Sequence, residues 1–515
     1  MFYAARPLRT SVMGGILPQP WIGRRGPGMP DGHFTHRPVR ADGGGTVRRR
    51  TVRATSSRST SRGAVMGLRP AHIASADIEA RKRSVVSPRS ESMSKPSTDV
   101  GPQELQRRLG VVDAVVIGLG SMIGAGIFAA LAPAARAAGS GLLIGLALAA
   151  VVAYCNATSS ARLAARYPAS GGTYVYGRER LGDFWGYLAG WAFVVGKTAS
   201  CAAMALTVGS YAWPGQEHAV AVAAVVALTA VNYAGVQKSA MLTRVVVAVV
   251  LAVLAFVVVA SLTSSASSAA RLAVGDDATF GGVLQAAGLL FFAFAGYARI
   301  ATLGEEVRDP RRTIPRGISI ALGITLVVYA VVAVAVLSVL GPQGLAQAAA
   351  PLSDAARAAG ADRLVPVVSV GAAVAALGSL LALILGVSRT TLAMARDRHL
   401  PHGLAAVHRR FKVPHRAELL VGAVVAVVAA AGDVRGAIGF SSFGVLAYYA
   451  IANASAWTLT ADEGRPAGAI PVLGLAGCLV LAFALPVSSV IWGSSVLALG
   501  AAVYALRRAV AARRA

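Results

Sequence analysis

With 515 residues, 55% of them hydrophobic, only 14% charged and a mean hydropathy of +0.61, the chain falls outside the ordinary soluble class, in which charged residues are about 25%. It reads as a membrane protein. The net charge of +26 raises nucleic acid as a partner, but 17 basic against 5 acidic residues lie up to Ser92, so the tail is disproportionately basic and no nucleic acid is expected.

Residues 1–106 form a tail rich in Arg, Ser, Gly and Pro, with runs such as "GGGTVRRRTVR" and no apolar core of the kind a signal peptide needs, and it is expected to be disordered. Three accounts of it stay open. It faintly resembles an organelle transit peptide; it is an over-extended start, with "MSKPSTDVGPQELQRRLG" from Met93 as the natural beginning; or it is an arm drawn to anionic lipid headgroups, worth about 1 kcal/mol per basic residue.

The first apolar span carries "GLGSMIGAGIF" from Gly118 to Phe128, whose glycines approach the spacing of a dinucleotide turn. That reading needs an acidic residue about 20 positions on, and none occurs from Ala114 to Arg178. Each interior glycine lowers helix propensity by about 1 kcal/mol relative to alanine, so the stretch predicts a break in a membrane helix. Further segments of roughly 20 apolar residues follow. About twelve begin, near Val112, Gly141, Phe184, Ala219, Val245, Gly282, Ile318, Val365, Leu419, Ala437, Ile470 and Val490.

In the third span, Lys197 stands mid-helix in "GWAFVVGKTASCAAMAL", where an ionisable group is a functional hypothesis by default. The sixth span carries "FFAFAGYARI" from Phe291 to Ile300, a second candidate break at Gly296. The eighth offers the hydroxyls of Ser379 and Thr390 for a sodium ion, and the loop after it holds His399, His402, His408 and His415, read as solvated because neither Cys nor paired carboxylates accompany them in metal spacing. Cys155, Cys201 and Cys478 all lie in apolar runs, so spacing supports neither a disulfide framework nor a thiolate metal site, and no cofactor is called for.

Lys and Arg concentrate in alternate connections, at Arg107 and Arg108, Arg162 to Arg180, Lys238 and Arg244, Arg308 to Arg312, Arg396 to Arg416, and Arg507 to Arg513. That side is expected to be cytoplasmic, with both termini inside a plasma membrane. The opposite connections carry only Arg136, Arg271, Arg357, Arg363 and Arg435.

The two glycine breaks fall in the first and sixth spans, corresponding members of two five-span halves. Paired interruptions of this kind mark the binding site of transporters built from inverted repeats, because unwound backbone survives at membrane depth only where protein or a cavity surrounds it. The N–H groups of Gly124, Ala125 and Gly126 would receive a substrate carboxylate at a positive helix end, with Ser121 and Ile123 beside them. Carbonyls of Phe292, Ala293 and Phe294, with Ala295 and Gly296 following, would receive its ammonium. Together they describe an α-amino acid. Close packing of small residues is the structural alternative for the same glycines.

Four stretches, "GSMIGAGIF", "YPASGGTYVYGRERLG", "FFAFAGYARIATLGEEVRDPRRTIPRGI" and "SRTTLAMARDRHLP", resemble amino acid permeases of the amino acid–polyamine–organocation (APC) superfamily over nearly everything after Gln106. The resemblance implies an all-α membrane protein of about twelve helices. Ten would form the 5+5 inverted repeat of the bacterial leucine transporter over 107–460, in halves of about 107–261 and 279–460 with helices 1 and 6 broken. Two more would follow over 461–515, and the whole would work by alternating access. "IATLGEEVRDP" is particularly similar to the cationic amino acid transporter branch, which makes arginine or lysine a candidate substrate.

Several residues depart from that branch. Relatives carry an acidic residue soon after the sixth-span break and "AEL" at the end of the second span, whereas this chain has Ala298-Arg299 and Ala161-Arg162-Leu163. Glu305 and Glu306 lie at the cytoplasmic end of the sixth span. Glu306, seven residues after Arg299 on the same helical face, is expected to form a structural ion pair or a cytoplasmic gate with it. Some sodium-independent relatives place an amine in the fifth span; here Lys197 would supply that charge from the third, exchanging a proton or standing in for sodium. The nearby cation favours neutral over cationic amino acids. The expected function is therefore a secondary transporter of amino acids, proton-coupled or exchanging, with the lipid bilayer and a coupling proton or sodium ion as its other partners. A non-transporting sensor and a polyamine or cationic amino acid permease are the alternatives. No GxxxxGK[ST] supports ATP-driven pumping, and no catalytic cluster supports an enzyme.

Overall fold

The computed structural model describes residues 109–168, 171–235, 240–302 and 306–513. The expectations for the tail and its start at Met93, and those for Arg107, Arg108, Lys238 and Glu305, lie outside the described residues. Seventeen α-helices appear among those described. The first span is α1 (Val111–Met122), α2 (Ala125–Ala129) and α3 (Leu131–Ala138); then come α4 (Leu142–Arg166), a short α5 (Thr173–Leu181), α6 (Asp183–Ala212), α7 (Glu217–Tyr233) and α8 (Ala240–Thr263). The sixth span is α9 (Phe280–Phe294), a 3-10 turn at Ala295–Tyr297 and α10 (Ala298–Ala301). It is followed by α11 (Pro310–Gln347), a short α12 (Pro351–Ala358), α13 (Val365–Arg396), α14 (His415–Ala431), α15 (Val434–Trp457), α16 (Ala469–Ala484) and α17 (Val487–Ala512).

Every expected span therefore has a helix at its place. Nine helical stretches among the described residues are long and apolar enough to cross a membrane, and α7, α14 and α16, at 17, 17 and 16 residues, are the short ones. A 17-residue helix is about 25 Å long, just under the hydrocarbon thickness, a mismatch that a bilayer absorbs by local thinning. Outward-facing apolar side chains such as Val259, Val327, Val427, Phe483 and Trp492 are exposed, as a lipid-facing surface requires.

Local signals set the helix ends. Asp113 Oδ2 accepts the Gly110 N–H at 3.1 Å where α1 begins, Thr279 accepts from the Gly282 N–H at α9, and Asp433 from the Gly436 N–H at α15. Pro310 opens α11, and Gly341, with φ at 68°, bends it before Pro342.

The helices pack in a pattern that maps onto itself when each of the first five spans is exchanged for the span five later. The second span (α4) lies on the sixth (α9), as the seventh (α11) lies on the first (α1). The fifth (α8) touches the first, seventh and eighth; the tenth (α15) touches the sixth, second and third. Because successive spans alternate in direction, members five apart run oppositely, which makes the repeat an inverted one. α16 rests on α15, α4 and α9, and α17 on α15 and α6, outside the ten.

On the basic side, the loop before α16 is tied through Glu463 to the second span and to the short helix α5 that follows it. Its carboxylate accepts the Thr460 N–H at 3.0 Å, the Arg166 Nε at 3.2 Å and the Arg180 guanidinium. The Thr460 N–H first, then the two guanidiniums, hold it at about 2, below its ordinary value of 4.5. A depressed carboxyl contributes its stability above the ordinary value and loses it as pH falls through the folded one. Glu463→Gln is expected to lower the melting temperature in detergent at pH 7, with the gap to the parent closing as pH falls from 4.5 toward 2; a gap independent of pH would refute this.

Candidate functional site

The first span breaks where its glycines cluster. α1 stops at Met122, Ile123 turns with φ −81° and ψ 57° while its N–H still donates to Leu119 O, and Gly124 precedes α2. Ala130 remains in the helical region and Ala134 N–H donates to its carbonyl, so α2 and α3 continue as one bent half-helix. The sixth span tightens into its 3-10 turn at Ala295–Tyr297 and ends at Ala301.

The two breaks lie against each other. A Cβ on Gly296 would collide with the backbone of Ser121 and come within 2.7 Å of Met122 N, and one on Gly126 would fall 2.6 Å from Ala293 Cα. Only glycine allows backbones this close. From α11, the Tyr329 hydroxyl reaches both breaks, at 2.5 Å from Met122 O and 3.1 Å from Ala293 O. A phenol has one proton, so the two carbonyls share it. From α13, Ser379 Oγ donates to Gly120 O at 3.2 Å and packs where a Gly124 side chain would stand. From α6, Lys197 Nζ donates to Ala295 O at 3.3 Å, and Tyr449 of α15 approaches the same oxygen at 3.5 Å.

A cavity of about 150 Å³ opens from this junction toward the arginine-bearing side. Ser121, Lys197, Phe292, Ala295 and Gly296 line its inner end, and Arg299, Glu306, Arg389 and Thr390 its outer part. On the opposite side the spans are stitched shut. Tyr211 donates to Phe128 O at 2.9 Å and accepts the Leu352 N–H, Asp277 accepts from the Ser140 N–H and hydroxyl, and Arg271 donates to Ser338 O and Val339 O.

Several expectations change in detail. Gly124, Ala125 and Gly126 sit at the break but not on the cavity wall, since Ser379 and Ala293 pack over them. Of the carbonyls expected to be free, Phe292 O accepts the Ala295 N–H and Ala293 O accepts Tyr329, and Ala295, one turn on, lines the cavity with its carbonyl held by Lys197. Phe294 is buried against the Tyr329 ring. Ser121 spends its hydroxyl on Ile117 O. Arg299 and Glu306 do not share a helical face, because the helix ends at Ala301 and the chain then pairs with the start of the first span: Leu109 N–H donates to Glu306 O and Arg308 N–H to Leu109 O. Both line the cavity, yet among the described residues no ion pair joins them. Ser379 and Thr390 lie about 16 Å apart along α13, too far to share one ion. Thr390 donates to Gly386 O within its own helix.

The histidine loop is not uniformly solvated. His399 Nδ1 lies 2.9 Å from the Tyr174 hydroxyl, which donates to Asp397 at 2.5 Å, and Arg178 reaches the same carboxylate at 2.6 Å. Burial and then the Asp397 charge push the Tyr174 phenol up; burial and the Arg178 guanidinium push His399 down. His408 and His415 pack on Tyr233. Tyr329 and Arg389 join the site without having been expected there; a lone phenol in the aliphatic run "LVVYAVV" is the signal the chain carries for the first.

A family model for amino acid permeases matches residues 113–461. An uncharacterized transporter of Mycobacterium tuberculosis is 78% identical over 412 residues, covering 80% of this chain and 94% of that protein. The branched-chain amino acid permease of Bacillus subtilis is 26% identical over 354 residues, 64% of this chain and 75% of the relative. Cationic amino acid transporter 7, chloroplastic, of Arabidopsis thaliana is 29% identical over 387 residues, 69% of this chain and 66% of the relative.

The contact between the breaks can be tested against a control in an open position. Gly296→Ala drives a methyl into backbone that cannot swing aside and is expected to destabilise by about 1–3 kcal/mol. Gly323→Ala on α11, with nothing within 4 Å of its added carbon, should be neutral or stabilising by up to about 1 kcal/mol. Melting curves in detergent compare them, and equal melting temperatures would contradict the packing described.

Proposed function

Because the chain belongs to the amino acid permease family, we propose that it moves amino acids across the plasma membrane by alternating access, through exchange or coupled to a proton. It is a multi-pass transporter rather than an enzyme. The observation that carries the mechanism is the contact of two interrupted helices at Gly296 with a cavity opening from it. In this reading the amides of Gly124 to Gly126 receive the substrate carboxylate once the packing over them loosens, and the carbonyl region at Ala295 receives the ammonium.

The named relatives support a site that reads the α-amino acid group and leaves the side chain to the cavity wall, since branched-chain and cationic substrates share only that group. In this chain Lys197 and Arg299 on the wall disfavour a cationic side chain. The concentration of Lys and Arg in alternate connections supports a topology with both termini in the cytoplasm. Lys197, in contact with the sixth break, is the titratable group for coupling.

Purified protein in liposomes should exchange labelled α-amino acids by counterflow in sodium-free buffer, and should not carry polyamines. Binding without flux, or polyamine carried in preference to amino acids, would overturn the reading. Tyr329→Phe removes the one proton shared by the two breaks, worth about 1 kcal/mol, and is expected to slow exchange several-fold with the fold intact. An unchanged exchange rate would remove Tyr329 from the mechanism.

A further inference from the structure

We propose that the substrate is an amino acid with a second carboxylate, of the glutamate or aspartate class, and that Lys197 binds that carboxylate. The inference rests on reading the cavity as an amino acid pathway and goes beyond it by assigning the side chain.

The described residues lining the cavity include three cations, Lys197, Arg299 and Arg389, and one carboxylate, Glu306. The two guanidiniums have carboxylates in electrostatic reach. Glu306 acts on Arg299, against the stronger repulsion of Arg389, and the charges of Arg389 and Glu418, which is fully buried at the start of α14, act on each other, with no ion pair among these described residues. Lys197 differs. The ionisable neighbour that acts on it is the thiol of Cys201, and the hydroxyls beside it on α6 are engaged elsewhere, Thr198 with Val194 O and Ser200 with Gly196 O and Ser441.

Lys197 cannot reach water along its own helix. It is 7% exposed and stands at the middle of the 30-residue α6, with about 20 Å of helix on either side. An ammonium has three donors, and among the described residues one of them is taken, at Ala295 O. Two are left for whatever fills the cavity. A buried ammonium without a counter-charge is unfavourable in lipid-embedded protein, and an anionic occupant removes that penalty at the moment of binding.

The position of this cation selects among amino acids. Lys197 contacts Ala295, and the next residue, Gly296, touches Ser121 and Met122 at the first break. Under the proposed function there are two anion-binding groups: the amides at 124–126, which follow Met122 in the chain and are freed when the packing over them loosens, and the Lys197 ammonium, bonded to the residue before Gly296. A neutral amino acid fills one of them and sets its own ammonium beside Lys197, a like-charge contact. An acidic amino acid fills both, and its second carboxylate lies between the two cations.

The test is competition and counterflow in liposomes with labelled glutamate, aspartate, glutamine, leucine and arginine, on the parent protein and on Lys197→Gln. We expect the parent to exchange glutamate or aspartate in preference to glutamine and leucine. Lys197→Gln should lower the acidic-to-glutamine flux ratio by about tenfold or more, the loss of one charge-assisted contact. Parent protein that exchanges neutral or cationic amino acids and excludes acidic ones overturns this inference and leaves the transport reading intact. An unchanged ratio in a well-folded Lys197→Gln, judged by its melting curve, also overturns it. If the variant does not fold, the parent's preference decides alone. No flux of any amino acid overturns both readings.

Discussion

Backbone at membrane depth has no water to satisfy it, and in this protein that constraint converges on the contact between two interrupted helices. Breaking the first and sixth spans frees carbonyls and amides that lipid cannot serve. The neighbouring spans serve them instead: Tyr329 bonds Met122 O and Ala293 O, Ser379 bonds Gly120 O, and Lys197 bonds Ala295 O. Glycine at 126 and 296 lets the broken segments meet directly, so each break helps to cover the other. The remaining helices are positioned around this junction, and their packing repeats in the two halves.

The junction also explains the asymmetry of the molecule. On one side, bonds through Tyr211, Arg271 and Asp277 join neighbouring spans and close the structure. On the other, the cavity passes Arg299, Glu306 and Arg389 toward the basic connections. Under the proposed alternating access, these two conditions exchange. The described bonds that close this side are polar, whereas the apolar contacts of the spans are extensive, so under that reading the closed side opens without dismantling the helices.

Much of this was legible in the chain. Twelve apolar stretches announce themselves by composition, and each has its helix. "GSMIGAG" and "FAG" are legible as breaks because glycine in a membrane helix needs a reason, and Lys197 because a mid-span charge does. The failures have a common source. The shared face of Arg299 and Glu306 assumed a continuing helix, but a parallel pairing between Leu109 and Val307 ends it. The freed carbonyls of Phe292 and Ala293 assumed that no partner arrives from elsewhere, but Tyr329 comes from 36 residues away. Ser379 and Thr390 carry the right atoms, yet only Ser379 faces a break.

The sequence by itself determined the class, the number of spans, the halves and the residues at which helices must yield, because hydropathy and helix propensity are local properties of the chain. Tertiary structure alone decided which carbonyl meets a cation at the cavity, which cation that is and to which side the cavity opens. Those outcomes depend on side chains from α6, α11, α13 and α15 arriving at one point, and no local pattern encodes the distance between residues 197 and 295 or between 329 and 122.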